Sequence, residues 1–428
     1  MKLKNFAISL GALIAIAVCV WLGSSIYIGR TTSQRIETLI SKQLNPNASI
    51  RIVDHKHEQS LFSSKGQFEI RFNDIPVDAD TGKQFFAVAF NYQVNNLLLP
   101  ESVMRFEWMA KPTGEAGKEI DRLFSKEINL NGKGKLGYGG KALSSLKMPE
   151  LVMNQGSDKL LITPSNGHIS WKEKSLNFDW KTDRISLVTD GYSYDVEGIQ
   201  FMTDIQNRQR GLGMAEFSVN KASSKDFTFT GYKFKTLSTE RGDRLDFTIN
   251  QKLDSISAAS EKISNVVMDF SMTDLDATSV EQLTDILDSA SDRIQSWTDD
   301  DKQRAKKALA TMIGKGFKIS IPKIYAEYGK GSIDGSVQLD VLKSDSNQNA
   351  FDFSKSVRAS GQILGNGKLL DQSQKAMVVM MGIAKDTKEG LKASFEFSGN
   401  KLVINGKSQD VTDSVSMLNE TVNELLYK

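Results

Sequence analysis

Hydrophobic and polar residues alternate with a period of two along most of the chain beyond residue 46. In QFEIRF, Phe68, Ile70 and Phe72 alternate with Glu69 and Arg71. This period predicts a β-strand whose three apolar side chains face the interior while Glu69 and Arg71 face water. The same alternation recurs in SLNFDW, DFTFTGYKFK, RLDFTIN, FKISI, GSVQLDV and ASFEFSGNKLVINGK.

Tight-turn signals accompany these segments. Asn-Gly and Asp-Gly pairs favour two-residue hairpin turns, and the chain has five such candidates: Asn131-Gly132, Asn166-Gly167, Asp190-Gly191, Asn366-Gly367 and Asn405-Gly406. Strands with one apolar face, joined by short turns, are typical of antiparallel sheets. The pattern therefore predicts a mainly β fold with some α structure, in which residues 46–428 form an extended, curved, mostly antiparallel sheet with a few packed helices.

Three segments change to a helical period. Residues 279–314 carry two apolar stripes and predict a helix pair that caps one end of the sheet. Residues 371–386 predict a helix with Met377, Met380, Met381 and Ala384 on one side. Residues 410–427 predict an amphipathic C-terminal helix carrying Val411, Val415, Leu418, Val422 and Leu425.

The beginning of the chain predicts a membrane anchor. Phe6–Ile28 contains no charged residue, and as a helix it would rise about 34 Å, enough to cross a hydrocarbon core of about 30 Å. Residues 1–5 then form a short cytoplasmic N-terminus, and residues 29–45 extend the helix outward until Pro46. With Lys2 on the cytoplasmic side, the bulk of the chain would lie in the periplasm of a bacterium, anchored to the inner membrane by a single pass.

Two other interpretations of this segment stay open. Ala15-Ile16-Ala17 has the form of a signal cleavage site, although it lies inside the apolar run. Cys19 could carry a lipid, but Val18 precedes it where a small residue is expected, so a small apolar helix residue is the favoured interpretation. Cys19 is the single cysteine of the chain, and a thiol-free remainder suits an oxidising compartment.

Composition excludes two classes of protein. The chain has 428 residues, a net charge of +2 and 25% charged residues. These values are typical of a folded protein and exclude both a disordered tail and a strongly basic nucleic-acid-binding domain. No proline-rich or glycine-serine linker marks a domain boundary.

One histidine cluster is a candidate metal site. In DHKHE, His55 and His57 would share a strand face beside Asp54 and Glu58, and such a set could hold zinc or iron. The third ligand nitrogen would have to come from His168, the one other histidine of the chain. A solvated polar strand is the favoured interpretation.

Three further motifs carry weaker signals. Ser144 and Lys147 have the spacing of a Ser-x-x-Lys nucleophile but lack its companion elements. The glycine-rich segment from Asn131 to Lys141 could cradle phosphate, although a flexible hairpin is favoured. The methionines of residues 371–386 could form a soft-metal or adaptable binding face, but core packing is the favoured interpretation. No catalytic, cofactor-binding or metal-binding residue is assigned, and no cofactor is expected.

The order of several segments resembles a known family. A short basic N-terminus and one helix lead to SLFSSKGQFEI, and the helix pair is followed by GFKISIPKIYAEYGKGSIDGSVQLDV. SQKAMVVMMGIAKDTKEG and ASFEFSGNKLVINGKSQDV come next. The chain thereby resembles the YdgA/YihF family of bacterial inner-membrane-anchored proteins of unknown function. The resemblance implies a location and no catalytic residues.

Two functions follow as hypotheses. In the first, a non-enzymatic, membrane-anchored periplasmic protein of the cell envelope binds lipid or another hydrophobic ligand on a concave sheet face. In the second, helices close the core, and the protein is a periplasmic scaffold that binds itself or other envelope proteins. An enzyme is disfavoured because histidine and cysteine are so scarce, and nucleic acid is not an expected partner.

Overall fold

The structure is a computed structural model that describes residues 50–427 except 61, 73–85, 97, 209, 260, 291–297 and 345–349. The predicted cytoplasmic residues, membrane helix and helical extension thus lie outside the described residues. No helix among those that the structure describes combines the length and apolarity needed to cross a bilayer.

The chain divides into two compact units, of which the first ends at Ser193 and the second begins at Tyr194. The first unit is an antiparallel sheet in which most strands pair with their sequence neighbours. The exception is the hairpin of residues 151–162: Ala142–Met148 pairs past it with Ser165–Lys172, and its second strand pairs with Ser175–Thr189. Two prolines limit strands of this unit, because proline cannot donate a ladder hydrogen bond. Pro149 follows the strand Ala142–Met148, and Pro164 lies just beyond the strand Asp158–Ile162. The described strands are β1 Ile50–Gln59, β2 Ser63–Phe72, β3 Phe86–Asn95, β4 Met104–Thr113, β5 Leu130–Leu136, β6 Ala142–Met148, β7 Leu151–Gln155, β8 Asp158–Ile162, β9 Ser165–Lys172 and β10 Ser175–Thr189.

The second unit is also an antiparallel meander. Near its C-terminal end, Val357–Asn366 and the short strand Lys385–Thr387 both pair with Gly390–Ser398. Its strands are β11 Tyr192–Asn207, β12 Leu212–Ser224, β13 Phe227–Arg241, β14 Arg244–Ala258, β15 Glu261–Asp276, β16 Phe317–Tyr328, β17 Gly331–Val341, β18 Val357–Asn366, β19 Lys385–Thr387, β20 Gly390–Ser398, β21 Lys401–Ile404 and β22 Lys407–Asp410. The prediction of a mostly antiparallel β fold with few helices is confirmed.

Six helices lie among the described residues: α1 Gly114–Leu123, α2 Ala277–Ala290, α3 Asp299–Lys315, α4 Phe353–Ser356, α5 Gln372–Met380 and α6 Thr412–Tyr427. α1 packs on β3 and β4 of the first unit, whereas α2 and α3 pack on each other and on β15. α6 contacts α3 and α4. Helix α3 begins at a capping box formed by Thr298 and Asp301 and ends at Gly316, whose φ of 74° stops the helix.

The buried apolar clusters of the second unit lie where these helices meet the strand ends. Leu212, Leu245 and Leu275 pack with Val280 of α2 and Met312 of α3. A second cluster joins Val341, Phe351 and Val357 to Ile313 of α3 and Val422 of α6. The helices therefore bury apolar surface at one end of these strands, where burial contributes about 25 cal/mol per Å².

The helix predicted over residues 371–386 is shorter in the structure. It ends at Met380, because Gly382 adopts a φ of 72° and the N–H groups of Gly382 and Ile383 bond back to the carbonyls of Val379 and Val378. This Schellman ending turns the chain into β19. Helices α1 and α4 were not predicted from the sequence.

Two of the predicted turns are wrong. Asn131-Gly132 lies inside β5 and Asn166-Gly167 inside β9. By contrast, Asp190-Gly191 and Asn405-Gly406 form the turns that the sequence predicts, and the φ of Asp190 and of Asn405 is positive. Both strand glycines, Gly132 and Gly167, lie close to a tryptophan ring of a neighbouring strand.

The alternation in β2 is partly as predicted. Phe68, Ile70 and Phe72 share one face, and each is half-buried. On the other face, however, the Glu69 side chain is only 18% exposed, because its carboxylate accepts hydrogen bonds from Thr113 and Arg71. Glu69 therefore does not simply face water.

Candidate functional site

One face of the first unit carries a continuous row of aligned side chains that runs across the strands. The ladder places Gly66 of β2 opposite Tyr92 of β3, and Tyr92 opposite Trp108 of β4. Trp108 in turn pairs with Gly132 of β5. The row begins at His57 and continues through Leu146 and Gly167 to Trp180.

Large rings and glycines alternate along this row for a steric reason. A Cβ placed on Gly66 would overlap the phenol ring of Tyr92, and one on Gly132 would overlap the indole of Trp108. The same relation joins Gly134 to Phe106 in the neighbouring row. Each ring therefore lies over the backbone of the next strand, where a glycine leaves room for it.

Neighbouring rows make the whole face apolar. Phe68 and Phe90 stack with ring centroids 5.0 Å apart, and Phe90 lies 6.1 Å from Trp108. Ser144 lies on the same face, where its Oγ accepts a hydrogen bond from the Trp108 indole N–H at 3.1 Å. The further apolar members are Val94, Ala110, Leu130, Met104, Leu136, Ala142, Ile169, Trp171, Leu176 and Phe178. We call this surface the aromatic face.

The aromatic face is only partly covered. Its small members are buried, but Phe68, Phe90 and Trp108 are half-buried, and Trp171 is 41% exposed. Among the described residues of this unit the one helix is α1, which contacts β3, β4 and β7. Large half-buried aromatic surface of this kind is characteristic of hydrophobic binding sites.

The opposite face of the same strands is polar and holds a groove of about 590 Å³. Its charges are largely paired, with Lys65 Nζ 3.0 Å from Glu58 and Lys133 Nζ 2.9 Å from Glu107. Nearby, hydrogen bonds from Lys135 and Arg105 lower the pKa of Glu101. Ion pairs on an exposed surface of this kind are typical of a solvated face.

The structure separates the candidate metal ligands. His55 and His57 stack with centroids 6.2 Å apart beside Tyr92, whose hydroxyl lies 2.8 Å from His57 Nδ1. His168 belongs to β9 on the polar face and pairs with Asp179 at 3.0 Å. Among the described residues, no group of three or more His, Cys, Asp or Glu is arranged to hold a metal ion.

The other motifs gain no chemistry from the fold. Ser144 and Lys147 lie three positions apart on strand β6, so their side chains point to opposite faces and cannot act together. The glycine-rich segment forms the β5–β6 hairpin, as the favoured interpretation predicted. The favoured interpretation of the methionines is wrong, because Met377, Met380 and Met381 are each more than half exposed.

Sequence analysis found Phe68 as a core-facing residue but missed the aromatic face. Tyr92 and Trp108 lie on strands whose alternation is weak in the sequence, and Gly132, the partner of Trp108, belongs to an Asn-Gly pair that predicts a turn. The usable signal was the repeated occurrence of glycine in segments flanked by aromatic residues, such as the pair Gly132 and Gly134 in β5.

Comparison with known proteins identifies the family. The chain belongs to the bacterial family described as "Bacterial protein of unknown function (DUF945)", which it matches over residues 4–412. No curated protein and no solved structure matches the chain.

Proposed function

We propose that this member of the DUF945 family is a non-enzymatic protein of the bacterial cell envelope that binds the acyl chain of a lipid along its aromatic face. The observation that carries the proposal is the row of rings laid over glycines from Tyr92 to Trp180, on a face that the described elements only partly cover. The resemblance to the YdgA/YihF family supports a position at the inner membrane.

The position in the cell is part of the proposal. Phe6–Ile28 would anchor the chain as a single-pass helix with Lys2 in the cytoplasm, and both units would then lie in the periplasm. An envelope protein with such an anchor has acyl chains at hand, which makes lipid the natural ligand class.

The physical basis of binding is the shape and chemistry of the aromatic face. Rings that lie over a glycine backbone form a smooth apolar surface, whereas upright side chains would leave ridges. An acyl chain that shields this surface would gain about 25 cal/mol for each Å² of apolar area removed from water. The indole N–H of Trp108 keeps its hydrogen bond to Ser144 when a ligand covers the ring, so this polar atom is not left unsatisfied.

The scaffold function remains the second candidate, and the second unit favours it. There, α2, α3 and α6 bury apolar side chains at the strand ends, so that part of the chain has closed cores of its own. A scaffold would bind other envelope proteins or a second copy through its surface. The aromatic face would then be a protein contact.

Photo-crosslinking distinguishes lipid from protein at the aromatic face. A benzophenone amino acid placed at Trp171 in the full chain, expressed in bacteria, should yield lipid adducts after illumination, detectable by mass spectrometry. The matched control is Leu143, which is 37% exposed on the opposite face of the adjacent strand β6. Adducts with protein alone at position 171 would overturn the lipid proposal in favour of the scaffold, and equal lipid adducts at both positions would show that the face has no selectivity.

A further inference from the structure

A second apolar surface lies in the other unit, around the end of helix α5. Met377, Val379, Met380, Met381 and Ile383 project there, and we call these five residues the methionine cap. Met380 is 83% exposed, and Met381 is 64% exposed. A cluster of long apolar side chains in water costs solvation free energy, and such patches mark interaction sites.

The methionine cap is held in place by specific contacts. At its start, the Asp371 carboxylate accepts a hydrogen bond from Gln374 N at 2.8 Å, and the Asp371 N–H donates to Gln374 Oε1 at 3.1 Å. At its end, the Asn405 amide donates to the carbonyls of Gly382 and Ile383 at 2.8 and 3.0 Å. Asn405 is itself buried in the β21–β22 turn. The fold therefore presents the cap in one defined orientation.

Exposed lysines flank the methionine cap in the sequence, although Asp371, Asp386 and Glu389 also lie in this stretch. Between Asp371 and Asp386 the sequence contains no acidic residue. Lys368, Lys385 and Lys388 are exposed, and within the part of the chain that the structure describes none of them forms an ion pair. Exposed apolar side chains flanked in sequence by unpaired lysines match the acyl and headgroup layers of an anionic membrane surface.

We propose that the methionine cap inserts into the headgroup region of a bilayer that contains anionic lipid. Methionine side chains are flexible and polarizable, so they adapt to the irregular boundary between headgroups and acyl chains. The three lysines would contact lipid phosphates. A protein partner at the same place would have to present carboxylates to them instead. The cap belongs to the second unit and the aromatic face to the first, so this membrane contact does not rest on acyl-chain binding.

Depth-dependent quenching tests the proposal in the full chain. In a Cys19→Ser background, Met380→Cys carries an environment-sensitive nitrobenzoxadiazole fluorophore. The protein is reconstituted into nanodiscs of phosphatidylcholine with or without phosphatidylglycerol, and with a lipid nitroxide at a shallow acyl position. The control is Met417→Cys, which is similarly exposed at 66% but lies on α6.

We expect a blue shift and nitroxide quenching at position 380, stronger with phosphatidylglycerol, and little of either at position 417. Reversing charge with Lys368→Glu, Lys385→Glu and Lys388→Glu should reduce the quenching, whereas the same change at Lys225, Lys262 and Lys330 should not. Quenching at position 380 that does not exceed that at position 417 would overturn the proposal. A blue shift without nitroxide quenching would also overturn it, because the cap would then be covered by protein.

Discussion

Trp108 of β4 lies across Gly132 of β5, in a position where any side chain on Gly132 would overlap the indole ring. The indole N–H then reaches Ser144 on β6, so one side chain spans three adjacent strands. Gly132 is therefore part of the aromatic face even though it has no side chain of its own.

Gly132→Ala should destabilise the protein by about 1 to 3 kcal/mol, because the new methyl group must displace the Trp108 ring. Gly139→Ala is the matched control, since a Cβ there meets no atom within 4 Å. Urea unfolding followed by tryptophan fluorescence gives both values. A cost at Gly139 as large as that at Gly132 would show that the loss comes from glycine flexibility and not from ring packing.

Phe68→Ala should cost about 2 kcal/mol, less than the 3 to 5 kcal/mol of a fully buried phenylalanine, because Phe68 is only half-buried. Its ring stacks on Phe90, and the truncation removes that stacking contact while Phe90 keeps Trp108 as a neighbour. The neighbouring Gln67 is exposed on the polar face, and Gln67→Ala should change the unfolding free energy by no more than about 0.5 kcal/mol. Equal costs at positions 67 and 68 would contradict the assignment of the two faces.

Asp276 makes the second unit sensitive to acid. Burial by itself raises the pKa of this carboxyl, but hydrogen bonds from Lys315 and Ser279 outweigh it and hold the pKa below its usual value. Because the unfolded chain then binds the proton more tightly, Asp276 stabilises the fold above about pH 4, and this contribution is lost as the pH falls through the folded value.

Asp276→Asn should accordingly cost about 2 kcal/mol at pH 7 and much less below pH 4, measured by urea unfolding across that range. Asp226→Asn serves as the control, because Asp226 is exposed next to a turn. A cost at Asp276 that does not change with pH would mean that the carboxylate charge contributes nothing to stability.

Asn405 links the methionine cap to the sheet. Asn405→Ala removes three hydrogen bonds, those to Gly382 and Ile383 and the one that its side-chain oxygen accepts from Ser394 N. The expected cost is about 1 to 3 kcal/mol, since the carbonyls of Gly382 and Ile383 and the N–H of Ser394 lose the partner that buried Asn405 supplies. Hydrogen exchange should then rise in residues 377–383 ahead of the rest of the unit. Asn405→Asp, which keeps the acceptor but not the donor, should show an intermediate effect; protection unchanged in both variants would contradict the link.

The sequence predicts the individual strands but not the contacts that side chains make with other strands and helices. Alternation of Phe68, Ile70 and Phe72 identifies β2 and its apolar face, because a strand's period is a local property. Gly132 and Gly167 were misread as turn residues, since a Cβ at Gly132 would meet the Trp108 ring and one at Gly167 the Asp179 carbonyl oxygen, and both partners lie on other strands. Helix α1, GEAGKEIDRL, is short, and Ala116, Ile120 and Leu123 are its only apolar residues, so its helical period is easily overlooked. The exposure of Met380 could not be predicted either. Helical spacing shows which residues share one side of a helix, but not whether another element packs against that side.

Binding at the aromatic face can be isolated spectroscopically. The chain has five tryptophans, and Trp108, Trp171 and Trp180 all belong to the aromatic face. Trp21→Phe and Trp297→Phe remove the other two. The emission of this variant then reports on the aromatic face alone. Trp171→Lys, compared with Leu143→Lys on the opposite face, tests whether the surface itself is required.

The most direct measurement of acyl-chain binding is quenching of that emission by a brominated fatty acid, titrated into the full-length variant in nanodiscs. Bromine quenches only on contact, so we expect saturable quenching that an unbrominated fatty acid reverses. Trp171→Lys should weaken it at least severalfold, while Leu143→Lys should leave it unchanged. Emission that stays constant, or quenching that never saturates and is equal in both variants, would contradict the proposal that the aromatic face binds an acyl chain.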